Sequence, residues 1–265
     1  MKRVLLLVLA GLLICLQSDS SIVTVPFGAK DKTINDFPYV GGFLNKDGLA
    51  SSAVVLKGGK FAITAKHSVT IDGSIDGEIS SISDLFYVIR EDGKSTLCKV
   101  MSVHPHPELD IAIVELAEPL SFGAKTRTDV VNGEIFYGVG YGMTSGNSDE
   151  YPPKFDKYDA KKKVFRNRLM IEGDSLSFDL SKKETLGQDG GAITGEGMIG
   201  MGDSGGGMFV EYHGELFLVG ILESSTMNSD SDGNVFLLGS GVWVNAECNK
   251  WIESIVEPNN GRNKK

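Results

Sequence analysis

Hydrophobic positions in this chain gather into short runs rich in β-branched and aromatic residues, at 52–56, 61–64, 85–89 and 111–114, then at 135–137, 168–171, 206–210, 216–221 and 235–238. Runs of this length between turn residues predict strands. Asp47-Gly48, Gly58-Gly59, Asp92-Gly93 and Asn132-Gly133 supply the punctuation. Two such sets predict an all-β protein built as two packed antiparallel barrels. Between Ser145 and Lys163 the chain turns polar, with Pro152-Pro153 and Lys161-Lys162-Lys163, which reads as an exposed loop whose lysines form a solvated face.

The first residues follow another pattern. Lys2 and Arg3 precede an apolar run over 4–16, and Ser18 and Ser20 offer small residues for cleavage before Ser21. Residues 1–21 therefore read as an export signal, and the run is too short to favour a membrane span. Ile14 stands where a lipid-anchoring signal at Cys15 would want a small residue. A secreted or periplasmic location is expected. Losing Lys2, Arg3 and Asp19 would move the net charge from −9 to −10, an acidic balance that argues against nucleic acid or an anionic membrane as partner. Residues 22–257 suit one large unit, followed by a polar tail at 258–265, and a monomer is expected.

Candidate chemistry centres on Gly202-Asp203-Ser204-Gly205-Gly206-Gly207. Glycines permit a tight turn around a serine and leave room for a substrate carbonyl. The amides of Gly202 and Ser204 are the candidate oxyanion hole, donors aimed at the charge that develops on a carbonyl under attack. Upstream, His67 follows the run 61–64, and Asp110 opens the run 111–114. His67, Asp110 and Ser204 occur in the chain order of a known catalytic triad, separated by 43 and 94 positions. In that chemistry His67 takes the serine proton and returns it to the leaving amine, while Asp110 holds the imidazole tautomer. No cofactor or metal is required.

These residues resemble the trypsin/chymotrypsin family of serine endopeptidases. Phe37-Pro38-Tyr39-Val40 is similar to its first barrel strand, Gly140-Tyr141-Gly142 to its Gly-Trp-Gly turn, Leu218-Val219-Gly220-Ile221 to the strand after the nucleophile, and Gly241-Val242-Trp243-Val244 with Trp251-Ile252 to its end. The likeness spans about 22–257 and is poor between Ser145 and Glu196. It implies two six-stranded barrels, at about 37–125 and 130–244, a C-terminal helix at about 245–257, and a site between the barrels. Polypeptide substrates are implied, with protein inhibitors as possible partners.

The resemblance also frames what differs. The family's Asp at position 203 usually pairs with a new α-amino terminus, for which Ile22 is the candidate; a local cap or an internal cation is the alternative. Animal members carry a disulfide where this chain has Ser52 and Ser68, so a bacterial-type member is expected. Cys98 and Cys248 could bridge or remain as buried thiols. Pocket positions fall on Met198, Ser225 and Gly241. Met198 offers a cationic side chain no partner, and Leu222 replaces the histidine of glutamate-selective relatives, so cleavage after apolar residues is expected. Leu222-Glu223-Ser224-Ser225 departs from the family's Ser-Trp-Gly strand. Either Glu223 lies near Asp110 and repels it, or a one-residue shift places Ser224 there. That departure keeps a non-catalytic or zymogen-like homologue as the alternative. Asn228 to Gly233 mimics a calcium loop without its closing glutamate, and His104-Pro105-His106-Pro107 reads as extended chain rather than a metal pair.

Overall fold

The computed structural model describes residues 31–45, 50–91, 94–145, 155–157, 161–180, 193, 195–229 and 235–257. The export signal, Ile22 and the polar tail lie outside these residues. Six antiparallel strands, β1 (Val40–Asn45), β2 (Ala50–Val55), β3 (Phe61–Thr64), β4 (Leu85–Glu91), β5 (Lys94–Pro105) and β6 (Ala112–Leu116), close a barrel in the order β1-β2-β3-β6-β5-β4.

The second unit comprises β7 (Lys125–Thr126), β8 (Ile135–Gly140), β9 (Thr144–Ser145), β10 (Phe155–Lys157), β11 (Lys163–Arg168), β12 (Met170–Glu172), β13 (Ser175–Asp179), β14 (Gly207–Tyr212), β15 (Glu215–Ser229) and β16 (Val235–Trp243). Its main sheet runs β11-β8-β14-β15-β16-β13-β12, with β7 pairing parallel to β15 and β9 with β10 apart. Among the described residues this sheet stays open, a half-barrel. Its flanks meet through side chains, the ring of Phe165 on β11 lying 5.8 Å from that of Phe178 on β13.

Side-chain alternation assigns each strand two jobs, because successive residues face opposite sides. Ala53 and Val55 of β2 and Val114 of β6 fill the first barrel with Phe43, Leu85 and Tyr87. Val54 and Ile113, the residues between, turn outward into a core shared by both units, where they meet Tyr137, Val139, Phe209 and Ile221. Met208 and Val210 flank Phe209 and point into the second unit's own core. Helix α1 (Ala246–Val256) starts at Asn245, whose side chain accepts from the amides of Glu247 and Cys248, and it lays Cys248 and Ile252 on the shared core.

Several expectations change in detail. The first strand begins at Val40, since Phe37 to Tyr39 form a turn around Pro38, which has no amide to give a ladder. The run 168–171 straddles two strands that break at Leu169. The lysine run is not uniformly solvated: Lys161 is exposed, whereas Lys163, the first residue of β11, is fully buried and its amine donates to the Lys161 carbonyl. Cys98 and Cys248 are free, buried thiols in different cores.

Candidate active site

His67 sits on a short 3-10 turn, Lys66–Val69, directly after β3. Its carbonyl accepts from Thr70 Oγ1 at 2.9 Å, which steadies the turn. Asp110 stands just before β6, in a loop steadied by His106. The Nδ1 of His106 accepts from the amides of Glu108 and Leu109, while its ring packs edge-on against Trp251 at 4.7 Å. The Pro-flanked histidines are therefore structural, His104 bonding Ser102 Oγ at 3.0 Å.

The two residues meet. Asp110 Oδ2 lies 2.6 Å from His67 Nδ1, and Oδ1 accepts from the His67 amide at 2.9 Å. Both carboxylate oxygens are thus committed to one residue, with the Asp110 side chain 2% exposed and that of His67 25% exposed. A carboxylate accepting at Nδ1 makes that nitrogen the donor and leaves Nε2 as the acceptor of the ring.

The Ser204 turn comes from the second unit. Gly202 adopts φ 96° and Gly205 φ 82°, so the chain reverses sharply on both sides of Ser204. Polar groups of this turn are tied down one by one. The Met201 carbonyl accepts from Met143 N at 2.7 Å, and Asp203 N donates to Gly200 O at 3.0 Å. Gly206 N donates to Asp203 O, and Gly205 N to Leu222 O, each at 2.8 Å. Of the amides from Gly202 to Gly206, two have no acceptor among the described residues, those of Gly202 and Ser204. Each belongs to a peptide whose carbonyl is held elsewhere, and in a trans peptide the N–H points opposite to the C=O. Both donors are therefore left for a ligand.

Ser204 Oγ does not bond His67 here. It donates to the Glu223 carbonyl at 2.9 Å. Glu223 occupies a bulge in β15, between Leu222 paired to Gly241 and Ser224 paired to Ser240. A bulge frees its residue from the ladder and re-aims the side chain. The carboxyl faces the catalytic corner: burial first, then the charge of Asp110, push it above the usual carboxylate range, against a hydrogen bond from Ser240 Oγ and the pull of His67. Of the two registers open from sequence, the one placing Glu223 beside Asp110 is the one formed.

Asp203 is fully buried behind the turn, its oxygens accepting from Gly142 N at 2.7 Å and Gly200 N at 2.8 Å. It thereby joins the 140–142 turn to the Ser204 turn; its sequence-proposed partner Ile22 lies outside the described residues. Of the pocket candidates, Ser225 donates to the Ile199 carbonyl at 3.3 Å, and Gly241 is buried against the sulfur of Met208. Met198 is fully buried in the second unit's core, so it presents no surface to a substrate side chain in this conformation.

With this geometry in hand, the comparisons with known proteins decide the family. Residues 26–252 match the family model described as Trypsin. The chain belongs to the trypsin family. A search of curated proteins found no match. Membership makes this fold that of a serine peptidase. The residue that sequence reasoning missed is Ser52, noticed only for lacking a cysteine thiol. A small polar residue inside the apolar run 52–56 was its only signal.

Proposed function

We propose that this trypsin-family chain is a serine endopeptidase that cleaves peptide bonds through an acyl-enzyme on Ser204. The observation that carries the reading is the pair of unsatisfied amides, Gly202 and Ser204, on a turn whose other polar groups are nearly all bonded. Free donors of this kind are costly unless a ligand uses them, and a tetrahedral oxyanion is the ligand they fit. Ser204 Oγ leaves the Glu223 carbonyl, passes its proton to Nε2 of His67 and attacks; Asp110 stabilises the imidazolium, which then protonates the leaving amine. Water repeats the sequence to release the acid. Cleavage after apolar residues is proposed because neither Ser225 nor Gly241 supplies a charge at the pocket positions, and export through residues 1–21 would place the activity outside the cytoplasm.

A second reading rests on two specific observations, the serine hydroxyl resting on the Glu223 carbonyl and the buried Met198. Together they describe a zymogen-like resting state that substrate or processing converts. A fluorophosphonate probe separates the readings. Labelling of the processed protein at Ser204, absent in Ser204→Ala, is the expected result. Absence of labelling in folded protein would refute a constitutively active enzyme, and labelling that appears only after N-terminal processing would support the latent form.

A further inference from the structure

The nucleophile turn belongs to the second unit, yet one residue of the first barrel grips it at both ends. Ser52, on β2, is fully buried. Its amide donates to the Ser204 carbonyl at 2.8 Å, and its hydroxyl donates to the Gly202 carbonyl at 2.9 Å. The same hydroxyl accepts from Tyr141 N at 2.9 Å, within the 140–142 turn that Asp203 holds from the other side. The Ser52 carbonyl accepts from Thr64 Oγ1 at 2.7 Å, which locks Ser52 to β3, the strand leading to His67. Ser68, the other position at which animal relatives carry a disulfide cysteine, takes no part: its buried hydroxyl has no partner among the described residues.

We infer that Ser52 is the positioning residue of the oxyanion turn, a polar clamp that fixes the Gly202 and Ser204 amides relative to the base-bearing barrel. The inference rests on the acyl-transfer reading for its catalytic consequence. The peptide joining Gly202 to Asp203 is held at its oxygen by Ser52 and at its nitrogen by Gly200. Loss of the hydroxyl releases one end, so that peptide can rotate and carry the neighbouring Gly202 amide out of line. It also leaves Tyr141 N without its acceptor. Substrate binding away from the scissile carbonyl has no reason to change. The signature is therefore a defect in turnover rather than in binding, shared by any ligand that forms a tetrahedral adduct.

The test compares wild type, Ser52→Ala and Ser52→Thr, the last retaining a hydroxyl. Complete removal of an oxyanion donor costs on the order of 10²–10³ in kcat. A mispositioned donor should cost less, and Ser52→Ala is expected to lose roughly 10–100-fold in kcat with KM changed less than about threefold. Affinity for a peptide aldehyde, whose adduct puts an oxyanion in the hole, should fall in parallel, and Ser52→Thr should recover most of both. Amide hydrogen exchange of the peptide covering residues 201–206 gives a readout that needs no activity. Exchange there should quicken in Ser52→Ala while the peptides of β4 and β5 are unchanged. Unaltered exchange of 201–206, or a kcat loss matched only by the unfolded fraction, would overturn the assignment. A wild type inert toward substrate and aldehyde would sink the endopeptidase reading alone, since exchange would still report whether Ser52 holds the turn.

Discussion

Gly205 tests how closely the two units are fitted at the nucleophile. Its φ of 82° is left-handed, and a Cβ built there would overlap the Ser52 carbonyl oxygen and Thr64 Oγ1, with the Ala65 amide at 2.9 Å. Gly133 has the same backbone, φ 81°, but nothing within 4 Å of the position a Cβ would take. Alanine at Gly133 therefore pays only for the left-handed conformation, about 1–2 kcal/mol. Alanine at Gly205 adds overpacking against the β2 and β3 backbones, about 1–3 kcal/mol more, for a total of roughly 2–5 kcal/mol. Urea unfolding of Gly205→Ala and Gly133→Ala under identical conditions measures the difference directly. Activity should separate them further, because the Gly205 overlap falls on the clamp at Ser52, whereas Gly133 is remote from the site. If the two variants lie within about 0.5 kcal/mol of each other, the close approach at Gly205 does not exist in solution and the reasoning fails.

Asp110→Asn should lower kcat by about 10³–10⁴ with little change in KM, since an amide at that position favours the wrong imidazole tautomer; a loss below tenfold in steady-state assays would contradict the role given to the pair. Glu223 holds its proton above the usual range, so between the unfolded and folded ionisations folding takes up protons and stability falls as pH rises. Glu223→Gln removes that loss: its urea midpoint should match wild type at about pH 4 and exceed it at about pH 8, and an equal offset at both would refute the placement of the carboxyl. Burial pushes the Cys248 thiol up to about 12 and raises that of Cys98, so neither should react with a maleimide in the native protein at neutral pH. Both should react after denaturation, and a mass two hydrogens short of the dithiol would show a bridge instead.

How much of this was legible in the sequence depends on the range of each interaction. Strands β3 and β6 are short, mostly apolar and bounded by turn or polar residues, so their pattern reveals them and fixes where His67 and Asp110 stand. Strand β5 is different, because Leu97, Lys99 and Met101, all facing outward, alternate with its core residues Cys98 and Val100. Its apolar run never becomes continuous. Lys163 misleads for a related reason: a charged residue reads as solvated until the fold pairs its strand with β8 and buries it. The bulge at Glu223 depends on pairing with β16, a contact between segments distant in sequence, and no local signal separates the two registers. Ser52 is hidden most completely, since every bond it makes reaches at least 12 positions along the chain, the longest spanning 152 to Ser204.

These ranges explain why the candidate site divides as it does. His67 and Asp110 are bonded to each other on the first barrel, and the loop before Asp110 also leans through His106 on Trp251 of the C-terminal helix. Ser204 and the two free amides are held by bonds from three directions: Met143 beside the 140–142 turn, Leu222 on β15, and Ser52 across the interface. The His67–Asp110 pair and the Ser204 turn therefore depend for their relative placement on the shared core around Val54, Ile113, Phe209 and Ile221 as well as on Ser52. Alternation within β2 makes the two requirements one. Ser52 and Val54 point the same way, toward the second unit, while Ala53 and Val55 fill the barrel. The strand that builds the first barrel's wall thus delivers, from its outer face, both an apolar contact that joins the units and the hydroxyl that sets the oxyanion turn. A slip of one residue in β2 would bury Ser52 in the barrel and turn Ala53 toward Gly202, losing closure and clamp together.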